Sequence, residues 1–291
     1  MPSPELLPIF DDGFATLLSI EHRRSLSRLM NPERPASVPA SQFNGVKADI
    51  VKTLSPFASA TLLDFAGARQ CRLGRFIPKE APLVLALELD AYSEVGGERM
   101  TLPDKELTPG KARRFGADAV KLKLHYNPRY LNSAKAQARL LKSVHKACTA
   151  SHIPLILEPS LYEVSIDLWE GAVLNCAREF SPLCSMLSLQ FPSKSAEPRR
   201  AVQACRRISD SSSVPWILSS DLDEFMELMW KSEMACRGGA CGFSAGLAVW
   251  REAVRLPAAE RARFLNVVSS GRFIRLRRVL KRCAEEVADA F

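Results

Sequence analysis

The sequence predicts an α/β protein, a single (β/α)8 TIM barrel spanning residues 1–291, on three observations. Eight short apolar stretches recur along the chain, each followed by a longer segment of helical periodicity, which is the signature of parallel β-α units. The length of 291 residues is close to the roughly 250 that one such barrel takes. No GxGxxG or GxxxxGK[ST] follows the first strand, which argues against a nucleotide-binding sheet. An open doubly wound sheet stays as the alternative architecture.

Strand one, 15–21, is apolar up to the acidic Glu21. The connection 31–40 is a loop, because Pro32, Pro35 and Pro39 each remove a backbone donor. Strands two (60–64) and three (83–88) end on Asp64 and Glu88, and strand five (154–158) ends on Glu158. Strand four, 119–125, alternates polar and apolar residues and leads into a helix over 132–150, where Leu140, Leu141, Val144 and Cys148 share a face. Strands six, seven and eight fall at 185–191, 215–219 and 240–244. Residues 251–291 carry ten Lys and Arg against five Asp and Glu, so +5 of the net +8 is local. Beneath Arg272, Arg275, Arg277, Arg278, Lys281 and Arg282, residues Phe273, Leu276, Leu280, Cys283 and Val287 repeat at helical spacing. This is the solvated face of an amphipathic helix; no aromatic platform or recognition motif points to a nucleic-acid partner.

No apolar run approaches the roughly 20 residues of a membrane span, and Asp11 and Asp12 precede any apolar stretch, so the expectation is a soluble, cytoplasmic protein. The eight cysteines are scattered through apolar patterns, which suits reduced thiols. Without a CxxC pair or paired Cys/His spacing, no structural metal is expected, and no cofactor; Glu21, His22, Asp64 and Glu88 would hold a divalent ion only if they converged.

In a closed barrel the outward strand face packs on helices, so polar side chains recurring with period two point inward. Val120, Leu122 and Leu124 take the outward face of strand four, leaving Lys121, Lys123 and His125 inside. Two buried ammonium groups require counter-charges, and Glu21, Asp64, Glu88 and Glu158 stand at strand ends to supply them. Carboxylates around inward lysines suit acid–base work and a shifted lysine pKa. Any one of these acids, taken alone, is as well explained as a helix cap or a solvated charge.

The order of several motifs resembles the tagatose-bisphosphate aldolase family, which includes sulfofructose-phosphate aldolases. Glu-His-Arg-Arg-Ser-Leu at 21–26 is similar to its Asp-Gln-Arg-Gly-Ser-Leu, Leu-Leu-Asp at 62–64 to its second strand ending, and Glu88 to the Glu of its Tyr-Glu-Lys-Thr-Gly. Gly-Ala-Asp-Ala-Val-Lys at 116–121 matches it, as does the strand ending at Glu158. The resemblance implies a class I aldolase-type barrel that cleaves a phosphorylated ketose through a strand-six lysine imine. Here that lysine's place is taken by Ser188, within Ser185-Met-Leu-Ser-Leu-Gln-Phe-Pro192, and the family's phosphate arginine is Leu247, with Asp221 nearby. A phosphate bound after strands seven and eight would therefore be held poorly.

Two readings follow. One is a divergent aldolase-like lyase acting on a small carbonyl or sugar, with Lys123 as nucleophile and Lys121 lowering its pKa. Glu158 or Glu88 would be the acid–base, and Glu21, Asp64, His125, Ser188, Gln190 and Ser220 would hold substrate. The other is a barrel that has lost catalysis and survives as a binding or regulatory protein. Homo-oligomers form readily in this barrel type through exposed helices. A hydrolase built on Ser188, Ser219, Ser220 and His125 lacks a GxSxG elbow. His22 and His145 are expected at the surface or as caps.

Overall fold

A computed structural model describes residues 3–220 and 223–288. Eight parallel strands close into a barrel: β1 (Ala15–Ile20), β2 (Ala60–Asp64), β3 (Leu83–Ala86), β6 (Ala119–Tyr126), β7 (Leu155–Leu161), β8 (Met186–Leu189), β9 (Trp216–Ser219) and β10 (Gly242–Ala245). All eight expected strands are present, which removes the open-sheet alternative. The ring closes where β10 pairs with β1, with Ala15 opposite Gly242. A Cβ on Gly242 would lie 1.9 Å from the Ala15 carbonyl oxygen, so only glycine permits that approach.

Helices cover the outer face, and the strands read as almost continuous apolar runs because both faces are buried. Alternation divides each strand. In β6, Val120, Leu122 and Leu124 join the cluster under the helices, and Ala119 joins the interior. The interior floor is apolar, built from Leu17, Leu62, Val84, Ile156, Met186 and Ile217, and it is closed from below by Leu6 and Ile9 of the 3-10 helix Pro4–Ile9. Above that floor the inward positions turn polar, and the site lies there.

One expected boundary shifts with consequence. Strand three stops at Ala86, and Glu88 instead opens an antiparallel hairpin, β4 (Glu88–Val95) and β5 (Glu98–Pro103), whose turn is Gly96–Gly97. Both glycines have positive φ, +59° and +80°, as a two-residue primed turn demands. The hairpin leans on β6: Thr101 Oγ1 donates to the Lys123 carbonyl at 3.0 Å and accepts from the His125 N–H at 2.9 Å. Strand five also runs past Glu158 to Leu161.

The helix Ser270–Ala288 buries Phe273, Leu276, Leu280 and Cys283, as its periodicity predicts; the Val287 side chain and Asp221 lie outside the described residues. Its basic face is partly neutralised, Arg277 by Asp11, Lys281 by Asp12 and Arg272 by Glu252. All eight cysteines are free thiols, and among the described residues no helix is long and apolar enough to cross a membrane.

Candidate active site

The inward face of β6 carries Lys121 one alternation above the floor and Lys123 one alternation higher. Lys121 is 1% exposed, and its ammonium meets three carboxylates: Glu88 at 2.6 Å, Glu21 at 2.8 Å and Glu158 at 3.2 Å. Lys123 donates to the other oxygen of Glu158 at 2.8 Å, and its side chain is 32% exposed. Three of the four expected acids thus gather around the two amines. The fourth, Asp64, does not: it binds Lys47 and Arg23 and caps the helix Phe65–Gln70 through the Gly67 N–H.

Charge compensation decides the protonation states. Burial alone would strip the proton from Lys121, but Glu158, Glu21 and Glu88 reverse this and raise its pKa well above the ordinary value. Lys123 follows the same balance, and Glu158 raises it despite Lys121, so the expected lowering by the neighbouring ammonium is overturned. The physical reason is the number of acids within reach. Glu158, desolvated but held by both lysines, falls to about 2. Glu21 behaves differently: burial, with Glu88 and Glu158 adding to it against Lys121, lifts it to about 7.

A cavity of about 390 Å³ opens above the lysines, lined by Glu21, His22, Glu88, Lys121, Lys123 and His125 from the barrel. Arg24, Ser25 and Arg28 from the helix Arg24–Met30, and Asp90 and Tyr92 from the hairpin, complete the wall. Asp90 ties these two elements together, accepting from the N–H groups of Arg23 and Ser25 at 2.8 and 3.1 Å and from the Ser25 hydroxyl at 2.8 Å. Burial opposes its ionisation, but nearby His22 and those donors bring it down to about 2. Tyr92 packs its ring edge against His125 at 5.0 Å. Burial brings His125 down to about 4, with Lys123 adding, and His22 also to about 4.

His22 is therefore a cavity residue, its Nδ1 buried and without a hydrogen-bond partner among the described residues and its ring against Trp250, rather than the surface or capping residue expected. Ser188 points inward, 2% exposed, and its hydroxyl has no hydrogen-bond partner among the described residues. Gln190 lies outside this cavity: its Oε1 accepts from the Leu161 N–H at 2.8 Å, and it borders a neighbouring cleft. Ser220 is anchored through its N–H to the Ser244 carbonyl, away from the lysine cavity, and Leu247 is buried in the outer core. Among the described residues no group of His, Cys, Asp and Glu converges as a metal site, because the acids close around Lys121.

Sequence reasoning passed over Asp90, Tyr92, Arg24, Arg28 and Lys47. For the hairpin a signal existed, Gly96–Gly97 between strand-like stretches. Lys47 also left one. It sits within the apolar stripe Val46, Ile50, Val51 and Leu54 of the helix Ala40–Leu54, where a solvated lysine does not belong, and it is fully buried.

The sequence profile of the DeoC/LacD family aldolases matches residues 17–252. Among curated proteins, the tagatose 1,6-diphosphate aldolase of Lactococcus lactis is 31% identical over 160 residues, 54% of this chain and 48% of that one. Tagatose 1,6-diphosphate aldolase 1 of Streptococcus mutans is 28% identical over 159 residues, again 54% of this chain and 48% of the relative. The matched stretch thus spans about half the length of these relatives. A solved Schiff-base-forming fructose-1,6-bisphosphate aldolase superposes with a TM-score of 0.65 at 16% identity, over 91% of this chain and 97% of that one. An archaeal fructose-1,6-bisphosphate aldolase, solved with its catalytic lysine bound to a carbinolamine, gives 0.65 at 15% identity over 92% and 98%. These two likenesses concern the fold.

Proposed function

The chain belongs to the DeoC/LacD family of aldolases, and from that premise we propose that it is a divergent class I aldolase-like carbon–carbon lyase acting on a ketose or related carbonyl compound, with Lys123 as the amine. The observation that carries the reading is the position of Lys123: it reaches the open cavity, a third exposed, while Lys121 beneath it is enclosed.

A raised pKa is at first sight wrong for a nucleophile. The net step resolves it. A lysine ammonium and a carbonyl give a protonated imine and water, so the site carries the same positive charge before and after. Carboxylates that hold Lys123 as ammonium therefore hold its iminium as well; they slow the release of the amine without disfavouring the intermediate. Attack requires one proton to leave Lys123; a second passes from nitrogen to oxygen as the carbinolamine forms, and the first returns to that oxygen as it departs as water. Glu21, at about 7, is suited to carry protons near neutrality, whereas Glu158, at about 2, remains a fixed counter-ion. Carbon–carbon cleavage then removes the proton of the substrate's β-hydroxyl, releases an aldehyde and leaves the bond's electron pair in the iminium as an enamine; protonation and hydrolysis release the second carbonyl fragment and regenerate Lys123.

The alternative is a barrel that binds without turnover. The closed cluster at Lys121 and the lone hydroxyl of Ser188 favour it. Borohydride reduction in the presence of a panel of ketoses and aldehydes, followed by peptide mapping, separates the two. The lyase reading expects a reduced adduct on Lys123 and its absence in Lys123→Met. No adduct on the wild-type chain with any substrate would leave the binding protein.

A further inference from the structure

The helix Arg24–Met30 sets Arg24 and Arg28 one turn apart on a common face, and both border the cavity that ends on Lys123 and His125. Like charges at that spacing repel. Among the described residues neither has a carboxylate within ion-pair distance, whereas adjacent Arg23 is held by Asp64 and Arg99 by Glu94 and Glu163. The cavity's own acids are turned to other partners. Glu21 and Glu88 face Lys121, and Asp90 accepts from Arg23 and Ser25, which fixes the arginine-bearing helix against the hairpin. Arg24 and Arg28 thus border the mouth with no carboxylate among the described residues in direct contact with them. On the strand next to β1 in the ring, the turn after β10 presents buried Leu247 where the resemblance places a phosphate arginine.

We propose that Arg24 and Arg28 form an oxyanion subsite: the carbonyl substrate carries a terminal phosphate, sulfonate or carboxylate gripped by these two side chains, which sets its carbonyl over Lys123. Guanidinium forks bind such oxygens in pairs, and a cavity of about 390 Å³ suits a sugar-sized molecule. The proposal rests on reading this cavity as the reaction site, and it moves the anion from the turn after β10 to the helix that follows the neighbouring β1.

Calorimetric titration of the full chain with sodium phosphate, sodium sulfate and sodium acetate tests it without turnover. The expected result is saturable binding of at least one anion, weakened about tenfold or more in Arg24→Gln/Arg28→Gln. Arg275→Gln/Arg278→Gln, on the exposed face of the terminal helix, should bind as the wild type does. Binding of phosphate and sulfate assigns a tetrahedral oxyanion, and binding of acetate alone a carboxylate; either supports the subsite when the double variant loses it. No saturable binding by the wild type, undiminished binding by Arg24→Gln/Arg28→Gln, or equal loss in the control overturns it. Anion binding through these arginines with no trapped adduct would sink the lyase reading and spare the subsite. A trapped adduct with anion binding unchanged in the double variant would do the reverse.

Discussion

Lys121 and Lys123 are two residues apart on one strand, about 6–7 Å along its axis, and that step separates an enclosed cation from one that reaches the open cavity. Lys121 lies among three acids at the base of the cavity, while Lys123 shares one acid and faces the opening. Under the proposed chemistry, Glu21 is the residue expected to set the pH response. If it carries protons for imine formation, adduct yield at Lys123 should rise through about pH 7, and Glu21→Gln should abolish that limb; an unchanged profile in the variant would remove Glu21 from the mechanism. Stability supplies an independent check. Folded Glu21 keeps its proton up to about 7 while the unfolded chain releases it near the usual 4.5, so the folded state binds more protons between those values. Its contribution is complete below 4.5 and is lost as pH rises through 7. His22 and His125, lowered to about 4, act in the opposite sense. The Glu21 effect is therefore read as the difference between urea-unfolding curves of Glu21→Gln and wild type across that window.

At the scale of elements, the hairpin β4–β5 and the helix Arg24–Met30 form the part of the cavity wall outside the barrel strands, and Asp90 joins them. Three donors converge on its Oδ2. Asp90→Ala leaves two backbone N–H groups half-buried without an acceptor, a cost of about 1–3 kcal/mol confined to these two elements. Hydrogen-exchange mass spectrometry should show faster exchange in peptides covering 23–30 and 88–103, with the barrel strands unchanged. Protection equal to wild type would mean that the hairpin is held by its contacts with β6, through Thr101 and Tyr92, and not by Asp90.

For the whole molecule, polar inward residues at the mouth are tolerated because the floor is fully apolar. Leu6 and Ile9 fill the bottom of the barrel beneath Leu17, Leu62 and Ile156. Leu6→Ala should therefore lower unfolding stability by about 2–5 kcal/mol by urea denaturation while leaving Lys123 trapping intact at temperatures where the variant is folded. A loss below about 1 kcal/mol would show the 3-10 helix to be an accessory. The salt links from Arg277 and Lys281 to Asp11 and Asp12 pin the terminal helix over the same end of the chain, though exposed pairs of this kind contribute little each.

The barrel was legible because parallel strands buried on both faces must be apolar, and period-two alternation on 119–125 has one outcome once the ring closes: Lys121 and Lys123 inside. Glu21, Glu88 and Glu158 were legible as strand-end acids. Their partition was not. Whether an acid reaches β6 or is captured by Lys47 and Arg23, as Asp64 is, depends on side chains 17 and 41 residues away in sequence. The direction of the lysine pKa shifts likewise depended on counting carboxylates within about 3 Å, a property of packing. By itself the sequence determined the ring and the identity of its inward amines; only the tertiary structure decided which amine stays open to a substrate, because that depends on where a hairpin and a short helix meet above it.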